Sequence, residues 1–144
     1  MFTLQFPSEK PKLKKTANQM MIFCIARKKW LSFTPEEWVR QNIILYLTLV
    51  KNYPLTLISV EKQIMVNHQK KRMDIAVYKD ESPFLLIECK NMDIPLHQDT
   101  LSQSLAYFST WNAQFLFVSN GLQTVGFQKT LDNMMALTDF PAWE

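Results

Sequence analysis

The chain has 144 residues, 47% of them hydrophobic and 20% charged, with a formal net charge of +3. That composition fits one globular domain with a core and excludes a disordered tail, a repeat array or a low-complexity segment. Only two glycines occur, so GxGxxG and GxxxxGKS/T are both absent and nucleotide binding through such loops is excluded.

Residues 1–20 are polar and lysine-rich, with Pro7 and Pro11, and are expected to form an extended basic arm ahead of a single domain over 21–144. The arm carries the first of three basic knots, Lys10 to Lys15 (KPKLKK); the others are Arg27 to Lys29 (RKK) and Lys70 to Arg72 (KKR). A net charge of +3 permits an anionic partner without demanding one. MMIFCIARKKW, residues 20–30, is short and apolar and reads as a strand or one helical turn. It is not a signal peptide, because the apolar run is short, RKK follows it and a small-residue cleavage site is missing.

SFTPEEWVRQNIILYLTLVKNY, from Ser32, is the clearest helix. Thr34 serves as N-cap, Pro35 as first helical residue and Glu37 as the acid of a capping box. Val39, Ile43, Tyr46, Leu47 and Val50 form its apolar stripe, and Pro54 ends it. LTLISVEKQIMV reads as a strand and NHQKKR as a basic turn. MDIAVYK is a second strand with Ile75 and Val77 on one face and Asp74, Ala76 and Tyr78 on the other. The turn DESP leads into FLLIECK, apolar on both faces and therefore central. LHQDTLSQSLAYFSTWN is a second helix, AQFLFVSNG a strand ending in an Asn-Gly turn, and QTVGFQ a further strand. The tail from Leu131 is short and reads as helical. One α/β domain follows, with a mixed central sheet and helices on both faces; the helix before AQFLFVSNG is long enough for a parallel crossover.

Cys24 and Cys89 make no disulfide framework and fit a reducing compartment. No stretch approaches the length needed to span a bilayer. The expectation is a soluble, cytoplasmic protein without membrane association.

The chemistry concentrates in MDIAVYKDESPFLLIECKN, residues 73–91. Residues two apart on a strand share a face, so Glu88 and Lys90 point the same way. If DESP folds the two strands into a hairpin, Asp74 comes beside them. Two carboxylates and an ammonium on mostly apolar strands are costly unless something balances them. A hard divalent cation does so, and it also acidifies water and polarises a phosphoryl oxygen. The lysine stabilises developing charge. That is hydrolysis of a phosphodiester; the bland reading of the same triplet is a solvated pair at a strand end. His68 and His97 pair with no cysteine at zinc spacing, and no nucleophile elbow accompanies a Ser/His/Asp set.

TPEEWVRQ, VEKQI, KKRMDIAVY, FLLIECK, QSLAYF and VSNG occur in the order found in the N-terminal nuclease-like domain of type I restriction enzyme R subunits. The chain resembles that family, within the PD-(D/E)XK nuclease superfamily, from about Ile22 to Gln128. The resemblance implies a restriction-endonuclease-like core and a Mg²⁺- or Mn²⁺-dependent endonuclease acting on DNA. It implies Asp74 and Glu88 as metal ligands, the Cys89 carbonyl as a backbone ligand and Lys90 as the catalytic lysine. Met73 stands where a proline often precedes the aspartate. Gln103 and Tyr107, four apart on one helical face, match a Gln-x-x-x-Tyr element linked with DNA handling.

The first helix supplies an acid in many such nucleases. Glu36 shares a face with Val39, Ile43 and Leu47 and is the expected one, with Glu37 open; Glu61 is a further acid near the site. Lys70, Lys71 and Arg72 are expected on DNA phosphates. R subunits carry an ATP-driven motor that this sequence does not show, so a separate motor or restriction-system subunit is an expected partner; the oligomeric state is left open. The rival readings are a non-catalytic nucleic-acid-binding or protein-interaction module on the same fold, and a repair or RNA-processing nuclease.

Overall fold

The computed structural model describes residues 1–66, 68–108 and 113–144; for residues 64, 66, 107 and 108 the description covers the backbone alone. The chain begins with three short strands, β1 (Leu13–Lys15), β2 (Met20–Cys24) and β3 (Lys29–Ser32), paired antiparallel in a small sheet. MMIFCIARKKW is thus a strand, a turn and the start of the next strand. Residues 1–20, expected as an extended arm, are tied down ahead of β1. Phe2 exchanges backbone hydrogen bonds with Thr124, each 2.9 Å, and Leu4 is buried.

Helix α1 (Pro35–Leu45) starts as its sequence dictates. Thr34 is extended, and its hydroxyl accepts the Glu37 N–H at 3.0 Å. Proline occupies the first turn, where its missing N–H costs nothing. The helix widens into a π-helical turn over Tyr46–Val50. It ends where Asn52 takes a left-handed conformation, φ 64°. Val39, Ile43, Tyr46 and Leu47 are buried as the apolar stripe requires, while Val50 is exposed.

A 3₁₀ turn at Leu55–Leu57 leads into the main sheet. Its strands are β4 (Ile58–Val66), β5 (Gln69–Lys79), β6 (Ser82–Cys89), β7 (Phe115–Ser119), β8 (Thr124–Lys129) and β9 (Met134–Leu137), hydrogen-bonded in that order. β6 and β7 are parallel and every other neighbouring pair is antiparallel. The parallel pair needs a crossover, supplied by α2 (Gln98–Phe108).

Two sequence expectations shift here. Gln69 to Arg72 belong to β5 rather than to a turn, because Val66 pairs with Gln69 and extends the ladder. The tail from Leu131 forms β9 instead of a helix, since the edge of β8 offers it a ladder to join. The DESP turn closes a two-residue hairpin, with Lys79 paired to Ser82 and positive φ at both Asp80 and Glu81, 51° and 66°. At the end of β7, Asn120 organises the Asn-Gly turn. Its side-chain oxygen accepts the N–H groups of Leu122 and Gln123, and Gly121 takes φ +88°.

The main sheet carries one helix on each face and is richer in strands than the expected arrangement. On one face α1 packs Val39, Ile43 and Leu47 against Ile75, Val77, Leu85, Ile87 and Phe117. The termini complete that cover through Phe2, Leu4, Phe140 and Trp143. The other face is smaller, formed by Met73, Ala76, Leu86 and Leu116 and by Val118 and Val125 with Leu101 of α2. Among the described residues, no helix is long and apolar enough to cross a membrane.

Phe117 packs against Phe140 with ring centroids 4.2 Å apart and planes tilted by 42°, and the Phe117 ring lies over Gly126, its partner on β8. A β-carbon at position 126 would lie 2.0 Å from Phe117 Cε1. Gly126→Ala is therefore expected to destabilise the fold by about 3 kcal/mol through overpacking. Urea denaturation of the two proteins checks this, and an unchanged midpoint would contradict it.

Candidate active site

Two groups of charged side chains meet at the junction of β5 and β6. The first lies on the α1 face. Glu37 is buried, and its carboxylate accepts from Arg40 Nε at 2.8 Å, from a second Arg40 nitrogen, Nη2, and from Gln41 Nε2 at 3.0 Å. Arg40, also buried, reaches Glu61 and Asp74 at 3.6 Å each. Glu61 in turn receives Arg27 at 2.7 Å and Arg72 at 3.3 Å.

The backbone explains how strand residues reach the helix. Glu61 has φ 55°, in the left-handed region. It stands where the β4–β5 ladder is interrupted, between the pairs Val60↔Ile75 and Lys62↔Met73. Opposite that gap Met73 packs with Ala76 and Leu86, while the Asp74 carboxylate turns toward Arg40 on the α1 side. Strict alternation puts Asp74 on the Ala76 face; the interruption moves it.

Glu36 and Glu37 differ from their expected placing. Glu36 is exposed, on the rim of a cleft of about 420 Å³ that also involves Ser32, Thr34, Arg40, Glu61 and Asn91. Glu37 is the acid turned inward. Its backbone N–H completes the first half of the capping box, but its carboxylate is spent on Arg40 and Gln41 rather than on the N-cap.

The second group lies at the end of β6, toward α2. Glu88 is only 12% exposed, and its two oxygens have the ammonium groups of Lys71 and Lys90 at 3.9 Å each. Gln103, Thr100 and Ser104 of α2 line the same small cleft. The fold thus gathers Glu88, Lys90, Lys71 and Gln103. The Tyr107 side chain lies outside the described residues. Lys70 is exposed, and Arg72 turns to Glu61.

Asp74 joins the two groups. Its Oδ2 accepts the Cys89 N–H at 2.7 Å, at the peptide that follows Glu88. This is the contact the hairpin creates, with Ile75 paired to Ile87 and Asp74 brought level with Glu88. Burial pushes the Asp74 carboxyl upward, and Glu36 and Glu88 add to the effect; the Cys89 N–H and Arg40 offset it in part. Glu37 behaves oppositely. Burial raises it, but Arg40 and Gln41 outweigh burial and hold it below the usual range. The hydrogen bond from Arg27 dominates at Glu61 and lowers it. The Cys89 thiol is fully buried and pushed well up, so it is no nucleophile.

Among the described residues no group of three or more His, Cys, Asp or Glu side chains is gathered so as to hold a metal ion. The carboxylate oxygens of Asp74 and Glu88 are nevertheless hard donors. Mg²⁺ keeps several waters and needs only one or two carboxylates. Arg40 is the residue that sequence reasoning passed over. Its spacing was a signal, three residues after Glu37 and inside the buried stripe between Val39 and Ile43.

Glu37→Ala leaves Arg40 buried without its main partner and is expected to cost about 3 kcal/mol, measurable by thermal and urea unfolding. Asp74→Asn is expected to act in the opposite direction. A raised folded pKa means stability present at acid pH and lost as pH rises through that pKa, so the ionised Asp74 is a cost at neutral pH. In EDTA, the melting temperature of Asp74→Asn should exceed that of the parent at pH 7, with the gap closing toward pH 3. A gap independent of pH would contradict the assignment.

A family model described as "Type I restriction enzyme R protein N terminus" matches residues 35–141, which leaves β1–β3 ahead of the matched range. No curated protein and no solved structure matches the chain.

Proposed function

The chain belongs to the family of type I restriction enzyme R protein N-termini, and from that membership we propose a metal-dependent DNA endonuclease-type phosphodiesterase on a PD-(D/E)XK core. It works in the cytoplasm as part of a restriction system, with DNA as its substrate and a further subunit of that system as a partner. The observation that carries the reading is the adjacency made by the β5–β6 hairpin. Asp74 binds the peptide after Glu88, and Lys90 follows two residues on.

Asp74, Glu88 and the Cys89 carbonyl would hold Mg²⁺ or Mn²⁺. When bound, such a cation supplies Lewis-acid polarisation of the scissile phosphate and a more acidic water. The electrostatics support this, because burial, Glu36 and Glu88 all make the Asp74 charge costly and a cation removes that cost. Lys90 orients the attacking water and stabilises charge building on the phosphoryl oxygens. Lys71 steadies the other Glu88 oxygen. Gln103, which lines the cleft with Lys90, contacts the DNA backbone, and the family's Gln-x-x-x-Tyr element assigns Tyr107 the same task. Lys70 and Arg72 offer it positive charge, and Glu36 supports the site from the cleft rim.

One observation favours a second reading, a non-catalytic nucleic-acid-binding or protein-interaction module. Each carboxylate already has basic partners, Arg40 for Asp74 and two lysines for Glu88. The site is thus charge-balanced without a cation.

The deciding experiment incubates supercoiled plasmid, linear duplex and single-stranded DNA with the protein in Mg²⁺ or Mn²⁺, beside Lys90→Ala. Metal-dependent cleavage reduced at least about 100-fold in the variant is expected. Equal cleavage by both proteins would place the chemistry elsewhere or in a contaminant, and cleavage by neither favours the binding module. Thermal shift gives a second readout. At about 100 times its dissociation constant a bound cation stabilises by about 2.7 kcal/mol, a gain that Glu88→Gln should abolish.

A further inference from the structure

The positive charge of this protein is segregated. Residues 10–35 hold seven lysines and arginines and no acid, whereas the rest of the chain holds nine basic against thirteen acidic residues. The β1–β2–β3 segment therefore carries +7 on a body of net −4. Among the described residues, Lys10, Lys12, Lys14, Lys15, Lys28 and Lys29 take part in no ion pair. The basic side chains near Asp74 and Glu88 are paired with carboxylates.

Strand register sorts these residues by face. Ile22 and Cys24 are fully buried, so Met21 and Phe23 on the same strand point outward. Lys14 stands opposite Met21, and Trp30 opposite Phe23. Lys12, two residues before Lys14, falls on the same outer face, and its carbonyl accepts the Phe23 N–H. The aromatic pair supports Lys14. Lys14 Nζ lies 4.4 Å from the centroid of the Trp30 ring, and the Phe23 and Trp30 centroids are 5.2 Å apart.

The sheet is also fixed in orientation. Arg27, in its second turn, donates to the Val60 carbonyl at 3.2 Å and to Glu61 at 2.7 Å, which fastens the sheet to β4. Ser32 and Thr34, at its exit, line the cleft shared with Glu36 and Arg40. The basic sheet thus borders the Glu37–Arg40–Glu61 side of the candidate site.

We infer that the outer face of the β1–β2–β3 sheet docks the phosphate backbone of DNA and delivers it toward the Asp74–Glu88 junction. The inference takes from the proposed function only that DNA is the partner. Lysines unpaired in the protein bind phosphates by releasing condensed counterions, which gives affinity and position without reading sequence. Lys12 and Lys14 on the outer face and Lys28 in the second turn are the principal contacts.

The test is fluorescence anisotropy of a labelled DNA duplex with the full chain in EDTA, across about 50 to 200 mM salt. Lys12→Gln, Lys14→Gln and Lys28→Gln are combined in one variant, with circular dichroism to confirm folding. Three lost phosphate contacts should flatten the slope of log affinity against log salt by about 2.7. Affinity at low salt should fall roughly 10- to 100-fold, and added polyglutamate should compete far less well than unlabelled DNA. An unchanged slope overturns the docking surface. Equal competition by polyglutamate overturns the assignment to DNA. EDTA keeps cleavage out of the measurement, so this inference and the nuclease reading fail separately: binding that depends on the β1–β2–β3 lysines without any cleavage in Mg²⁺ sinks only the latter.

Discussion

Arg40 is the constraint on which the candidate site depends. A buried guanidinium is tolerable only when its donors are satisfied by carboxylates at good geometry. Glu37, three residues earlier on the same helix, meets most of that demand, and Glu61 and Asp74 approach from two strands. The helix face that buries Val39 and Ile43 must carry Arg40 with it, so packing α1 onto the sheet brings the guanidinium to the strands. The fold and the charge layout are therefore one problem. Moving α1 would strand a buried charge, and removing Glu37 would leave one.

The strands answer that demand by departing from regular geometry. Glu61 adopts a left-handed conformation and the β4–β5 ladder skips the Glu61–Asp74 position. A non-glycine residue in that region costs of order 1 kcal/mol or more and persists only where its surroundings compel it. Here they do, because Glu61 collects three arginines. The result is a junction where one carboxylate sits in a partly compensated buried position and another is held between two lysines. Such an arrangement costs stability, because the buried Asp74 carboxylate is only partly compensated.

Charge is divided between an acidic body and a basic N-terminal sheet. The body is net acidic and pairs Arg40, Lys51, Lys71, Arg72 and Lys90 with carboxylates, whereas the charged residues of the N-terminal sheet are all basic through residues 10–35. The cations at the junction are engaged by its own carboxylates, so the free positive charge of the surface lies on the sheet. The sheet stands beside the cleft of Glu36 and Arg40, and Arg27 ties it in place.

Much of this was legible in the chain itself. The α1 cap at Thr34 and Pro35, the tight turn at Asp80 and Glu81, the crossover helix and the Asn120–Gly121 turn are decided by neighbours in sequence, and each appears as read. The order of strands around FLLIECK and the nearness of Asp74 to Glu88 followed from a hairpin of known length. Tertiary structure decided the rest. β9 needed an edge to pair with, and the choice between Glu36 and Glu37 needed a buried Arg40. Asp74 changed sides only because the ladder breaks opposite Glu61. The physical reason is common to all three. Caps and turns are settled over a few residues, whereas which way a charged side chain faces depends on partners distant in sequence.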